Sequence, residues 1–194
     1  MIPWVLTLAR LPLAAAFAIA VAVFARAGEG LTAGPRLALL ALVLAAECTD
    51  MLDGWVARRT GRQSELGGLV DPLCDSLARL TMYFTLGLAG WVWLGVPLLM
   101  AGRDLVVAYV RVVIGITGGK TSARASGKIK AIVQGVGLLA LVLVAGPTAP
   151  DRAGAIIAAR WSIAAAVMFV TIWSLVDYIR TGWRAAWQMA QRGR

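Results

Sequence analysis

The chain has 194 residues, 60% of them hydrophobic, with a mean hydropathy of +0.78; soluble domains carry roughly 45–50% apolar residues, so the expected solvent is a bilayer. The net charge of +9 lies largely in short segments between apolar runs and in the tail, a pattern of membrane topology and anionic-lipid contact that sets nucleic acid aside as a partner. Cys48 and Cys74 form no CxxC pair and no secreted disulfide pattern, and both are expected as small buried packing residues in membrane helices.

A spanning helix needs about 20 largely apolar residues. Six such segments fit and leave no length for a second soluble domain, so residues 1–194 are expected to form a single all-α integral membrane domain. Residues 2–10 contain Pro3, Trp4 and Arg10 and predict a short N-terminal interfacial helix, with Trp4 in the headgroup layer. A bundle of six transmembrane helices follows, with spans near 11–28, 36–57, 66–89, 94–117, 128–146 and 157–180. They are helices because a closed barrel would need shorter, alternating strands.

The start of the chain has no charged region ahead of its apolar run, so no cleaved leader is expected, in keeping with a bacterial-type inner membrane. Arg58, Arg59 and Arg62 follow the second span, Lys120, Arg124, Lys128 and Lys130 the fourth, and Arg180, Arg184, Arg192 and Arg194 the sixth. These segments are expected on the cytoplasmic side together with both termini. Helix breakers mark the opposite turns: Gly90, Gly95 and Pro97 in one, Gly146, Pro147 and Pro150 in the other. Trp91, Trp93, Trp173, Trp183 and Trp187 fall near span ends and read as interfacial anchors.

Ionisable groups at membrane depth cost a few kcal/mol and persist where they have a partner or a task. Asp50 and Asp53 stand three residues apart at the end of the second span, and Asp71 and Asp75 four apart at the start of the third. Each pair therefore shares a helical face. Four carboxylates in one small pocket repel strongly unless a cation neutralises them, and an oxygen-only set in a chain with no histidine favours Mg²⁺ or Mn²⁺, with two ions plausible. Gly54, Ala57, Gly61, Gly67 and Gly68 let a bulky ligand approach the backbone, and Arg58 offers a fork for phosphate oxygens. Two readings compete with a metal and phosphate site. In one, the acids pair with Arg58, Arg59, Arg62 and Arg79 to hold helices together. In the other, they line the path of a divalent-metal transporter, which predicts acids at several depths and on both sides of the bilayer.

Asp50, Asp53-Gly54, Ala57-Arg58, Gly67, Asp71 and Asp75 reproduce the pattern DxxDGxxARx8GxxxDxxxD at every fixed position. In this the chain resembles the CDP-alcohol phosphatidyltransferase family. Pro3, Leu6-Thr7 and Arg10 are similar to the family's PNxLTxxR opening, with Trp4 in place of Asn. The resemblance implies a bundle, commonly homodimeric, whose cytoplasm-facing cavity takes CDP-diacylglycerol. It assigns metal binding to Asp50, Asp53, Asp71 and Asp75, with Asp75 also the base, and CDP contact to Gly54, Ala57, Arg58 and Gly67, with Thr7 and Arg10 toward phosphate.

The acceptor must be read from spans four and five. Arg103-Asp104, Arg111 and SARASGKIKAIVQ, holding Arg124, Lys128, Lys130 and Gln134, are similar to the matching stretch of the family's phosphatidylglycerolphosphate synthases; Ala131 and Val112 depart from it. Several cations suit a doubly charged phosphate. Glycerol 3-phosphate is thus the first expected acceptor, with Arg111, Lys128, Lys130 and Arg124 as its ligands; inositol phosphate, serine or phosphatidylglycerol are the alternatives. Arg103 is expected to pair with Asp104 or Asp177, and Lys128 and Lys130 could equally serve as positive-inside anchors.

Overall fold

A computed structural model describes the backbone of residues 2–26, 31–60, 65–116, 125–146 and 153–192, and the side chains within 8–26, 31–49, 70–115, 125–146 and 153–183 together with those of Leu52 and Trp187. Six helices and, among the described residues, no strand make up the fold: α1 (Ile2–Arg26), α2 (Ala33–Thr60), α3 (Glu65–Leu88), α4 (Gly95–Ile116), α5 (Ala125–Leu143) and α6 (Ala153–Arg192). Three of them, over Leu8–Arg26, Ala125–Leu143 and Ala153–Trp183, are long and apolar enough to cross a membrane. The other three carry several of the charges that sequence analysis singled out, such as Asp75 on α3 and Arg103 on α4.

The expected interfacial helix over 2–10 is corrected: α1 runs unbroken from Ile2 to Arg26 with Pro12 inside it. Pro12 removes an amide from the helical ladder, but tertiary packing outweighs that loss. Arg10, 2% exposed, is already inside the bundle, with Nη1 3.9 Å from Asp75 Oδ1, so the chain cannot turn away along a surface there. The last helix also exceeds its predicted end at residue 180, continuing to Arg192. At 40 residues it is about 60 Å long, twice the hydrocarbon thickness.

One row of buried apolar residues from every helix forms the core, including Phe17, Leu39, Val43, Met82, Leu86, Met100, Leu138, Leu141 and Val167. Large apolar side chains also face outward on every helix, among them Ile19, Leu37, Leu77, Leu105, Ile132 and Phe169, as lipid exposure requires. Cys74 is buried as expected; Cys48 is exposed, because its position on α2 points outward between the core residues Val43 and Ala46 and the outer surface. Trp91 is likewise buried, whereas Trp93 is exposed and lies against Trp161 with ring centroids 6.2 Å apart.

At one end of the bundle the positive φ of Gly90 (75°) and Gly146 (92°) makes the two turns that Gly and Pro predicted. Arginines close the open carbonyls there. Arg160 donates from Nε and Nη2 to Val144 O at 2.9 and 2.7 Å, and Arg36 Nη2 donates to Ala145 O at 3.1 Å. A cation at a helix C-terminus complements the dipole and satisfies orphan acceptors.

Candidate functional site

Two polar clusters occupy the interior, and glycines of α5 let the helices approach closely enough to form them. A Cβ on Gly135 would stand 3.0 Å from the Glu47 carboxyl carbon, and one on Gly137 would stand 3.0 Å from Tyr83 Oη and 2.7 Å from Val167 Cγ2. Close backbone approach at small residues is how membrane helices pack.

The first cluster joins α1, α2 and α3. Arg79 Nε and Nη2 donate to the two Glu47 oxygens at 3.1 and 2.9 Å, and its Nη1 donates to Asp75 Oδ2 at 2.9 Å. One guanidinium thus spans both carboxylates in the fork geometry that arginine favours. Asp75, with 26% of its side chain exposed, also lies near Arg10. Asp71, one turn before Asp75 on α3, is exposed. Arg79 therefore does pair with a signature acid, as the helix-tethering reading expected; its second carboxylate, Glu47, is one that sequence analysis passed over. The available signal was position: Glu47 is an intramembrane acid three residues before Asp50, on the same face of α2.

Asp50, Asp53, Gly54, Ala57 and Arg58 fall on the last turns of α2, Gly67 on the first turn of α3 and Thr7 on α1; beyond this backbone placement they lie outside the described side chains. Gly61, Arg62 and Arg124 lie outside the described residues altogether. Among the described residues no group of three metal-donor side chains is gathered.

The second cluster joins α4, α5 and α6. Asp104 Oδ1 accepts from Arg103 Nη1 at 2.8 Å and from Lys130 Nζ at 3.0 Å, while Arg103 Nη2 donates to Ser174 Oγ at 2.6 Å. Arg103 pairs with Asp104, one of the two partners expected for it. Lys130 is buried and already engaged, whereas Lys128 is exposed. Arg111 differs from both: its polar partner is a phenol, Tyr178 Oη at 3.2 Å, and its Nε is buried without a hydrogen bond. Between the clusters, Tyr83 Oη of α3 donates to Gln134 O of α5 at 2.8 Å, and Gln134 Nε2 donates to Thr171 Oγ1 of α6 at 3.1 Å, which ties the two halves of the bundle together.

An apolar groove of about 410 Å³ between α4 and α6 is lined by Leu105, Tyr109, Val113, Ile179 and Trp183 among others, with no acidic or basic side chain among its described lining residues.

Acids thus stand on α2 and α3 and cations on α4 and α5, and comparison of the chain with known proteins gives its family. The sequence profile of the CDP-alcohol phosphatidyltransferase family matches residues 1–173. The chain belongs to that family, and is a membrane transferase of phospholipid biosynthesis.

Among curated relatives it is similar to a probable phosphatidylglycerophosphate synthase of Mycobacterium tuberculosis, 30% identical over 175 residues, covering 90% of this chain and 78% of the relative. It is also 30% identical to CDP-diacylglycerol–glycerol-3-phosphate 3-phosphatidyltransferase 2 of Arabidopsis thaliana, over 77% of this chain and 68% of the relative. The corresponding Pseudomonas fluorescens enzyme is 30% identical over 71% of each chain. Members of the family generally use divalent metal ions.

Proposed function

We propose that this chain transfers a phosphatidyl group from CDP-diacylglycerol to glycerol 3-phosphate, releasing CMP and forming phosphatidylglycerol phosphate. The observation that carries the acceptor is Arg111, a partly buried cation whose polar partner among the described residues is a neutral phenol and whose Nε is left over. A cation held this way at membrane depth is a receptor for an anion.

The acids supply the donor half. Asp50, Asp53, Asp71 and Asp75 form an oxygen-only donor set on two helices, in a chain with no histidine, and that chemistry fits Mg²⁺ or Mn²⁺, with room in the donor count for two ions. Such ions draw charge from a pyrophosphate and stabilise the departing nucleotide. Asp75 accepts the acceptor's hydroxyl proton. Its Oδ2 is held by Arg79, which fixes the carboxylate's direction. Gly54, Ala57, Arg58 and Gly67 flank the CDP moiety, with Thr7 and Arg10 toward its phosphates. Lys128 and Arg124 join Arg111 at the acceptor phosphate, and Lys130 acts with them through its pair with Asp104.

Six spans are proposed for the whole of residues 1–194, a single domain, since every helix turns large apolar side chains outward. The distribution of basic segments supports a site and both termini on the cytoplasmic face of an inner membrane, and a homodimer is the proposed working unit.

The test is CMP release by purified protein given CDP-diacylglycerol, Mg²⁺ or Mn²⁺, and glycerol 3-phosphate, inositol phosphate or serine in turn. Release with glycerol 3-phosphate, abolished by a chelator and restored by either ion, is the expected result. Release only with another acceptor discards glycerol 3-phosphate and keeps the family chemistry.

A further inference from the structure

The match to the family profile ends at residue 173, yet α6 continues, and the next turn reaches into the cation cluster. Tyr178 on this turn is 1% exposed. Its ring lies beneath two guanidiniums of α4, with Arg103 Cζ 5.2 Å and Arg111 Cζ 5.6 Å from the centroid, and its hydroxyl accepts from Arg111 Nη2. The neighbouring Asp177 accepts from Ser126 Oγ at 2.5 Å, in the first turn of α5. Gly127 makes room for this: a Cβ there would stand 3.1 Å from Tyr178 Oη.

The two arginines are eight residues apart on α4 and so share a face. Their charges would repel across a low-dielectric interior, but the quadrupole of an intervening aromatic ring attracts both. The Arg103 charge is met by Asp104. Arg111 is paired with no described carboxylate, and among the described residues the Tyr178 hydroxyl, with its ring, is what holds the fork.

We infer that Tyr178 is a positioning residue for the acceptor: ring and hydroxyl together aim Arg111 at the acceptor's phosphate, while Asp177 pins the turn of α5 that presents Lys128. The inference rests on the acceptor reading above and goes beyond it in making the segment after residue 173 a determinant of acceptor affinity. It also separates the roles of the two phosphates in the reaction. The donor's pyrophosphate is handled at the acids of α2 and α3, so loss of the Tyr178 hydroxyl should leave donor affinity alone.

The experiment is steady-state CMP release by the full chain, varying glycerol 3-phosphate and CDP-diacylglycerol separately, with thermal stability measured in parallel. Tyr178→Phe keeps the ring and removes the hydroxyl; it should raise KM for glycerol 3-phosphate about tenfold, the size of one lost charge-assisted hydrogen bond. Its kcat and its KM for CDP-diacylglycerol should stay within about twofold. Arg111→Lys should raise the same KM, and the double variant should be no worse than Arg111→Lys alone, because the hydroxyl acts through that fork. If Arg111→Lys raises KM and Tyr178→Phe does not, the positioning role is wrong and the acceptor reading stands. If Tyr178→Phe lowers stability and kcat with KM unchanged, Tyr178 is structural only. If Arg111→Lys leaves KM unchanged, or the parent chain releases no CMP with glycerol 3-phosphate, the acceptor reading itself falls and takes the inference with it.

Discussion

The polar cluster of α1–α3 and that of α4–α6 are both built from arginines and carboxylates, but in opposite proportion. In the first, Arg79 is divided between Glu47 and Asp75, with Asp71 a turn away and Asp50 and Asp53 on the neighbouring helix. In the second, Arg103 and Lys130 share the carboxylate of Asp104, Asp177 is bonded to Ser126, and Arg111 is held by a phenol. A surplus of carboxylate invites a metal cation; a surplus of guanidinium and ammonium invites a phosphate. The bundle thus separates the two charges that a phosphatidyl transfer must manage. Ion pairing alone would predict matched numbers in each half.

The sharpest way to break this comparison is to neutralise one carboxylate on each side. Asp75→Asn should cut CMP release by about 10³-fold, within the range of a lost general base, while leaving stability nearly unchanged because Arg79 keeps both bonds to Glu47. Parallel kcat and thermal-melt measurements check both halves of that statement. A variant that melts early yet turns over normally would move Asp75 from the chemistry to the scaffold.

The matching change in the other half should do the reverse. Asp104→Ala leaves Arg103 and Lys130, both buried, without their carboxylate. Removing one partner of a buried ion pair costs about 3 kcal/mol, to be read as a lowered unfolding midpoint in detergent. CMP release per folded molecule should change far less than in Asp75→Asn. If it falls as much, Asp104 belongs to the reaction and the division of labour between the halves is lost.

How much of this was readable in advance follows the same division. The acids of α2 and α3 are spaced three and four apart, a local periodicity that a helix turns directly into a shared face, so their placement on these two helices was legible from residues 50–75. The six helices were legible because apolar run length is also local. What was not legible depended on contacts between distant segments. Arg103 found Ser174, 71 residues away, and Ser126 found Asp177, 51 residues away. Glu47 was hidden by pattern: it lies three residues before Asp50, where the familiar spacing begins, and its partner Arg79 is 32 residues on. The continuous α1 was misread because Pro12 and Arg10 both signal a boundary locally, whereas burial of Arg10 beside Asp75 is a tertiary fact. Cys48 escaped for a related reason, since apolar surroundings in sequence do not say which side of a lipid-facing helix is inside.

The smallest expected effect concerns the bonds between the halves. Tyr83 Oη donates to the carbonyl of Gln134, and Gln134 in turn donates to Thr171. Tyr83→Phe removes one of these bonds and keeps the packing of a ring that is 0% exposed. Interhelical hydrogen bonds in membranes average about 0.6 kcal/mol, because the separated helices find other partners. The unfolding midpoint should therefore drop only slightly, with CMP release and both KM values unchanged. That outcome would leave function resting on the two clusters and make the link between them a tether. If Tyr83→Phe instead shifted KM for glycerol 3-phosphate or the dependence on metal concentration, the halves would be coupled through Gln134, and the opposite charge surpluses would have to be treated as one site.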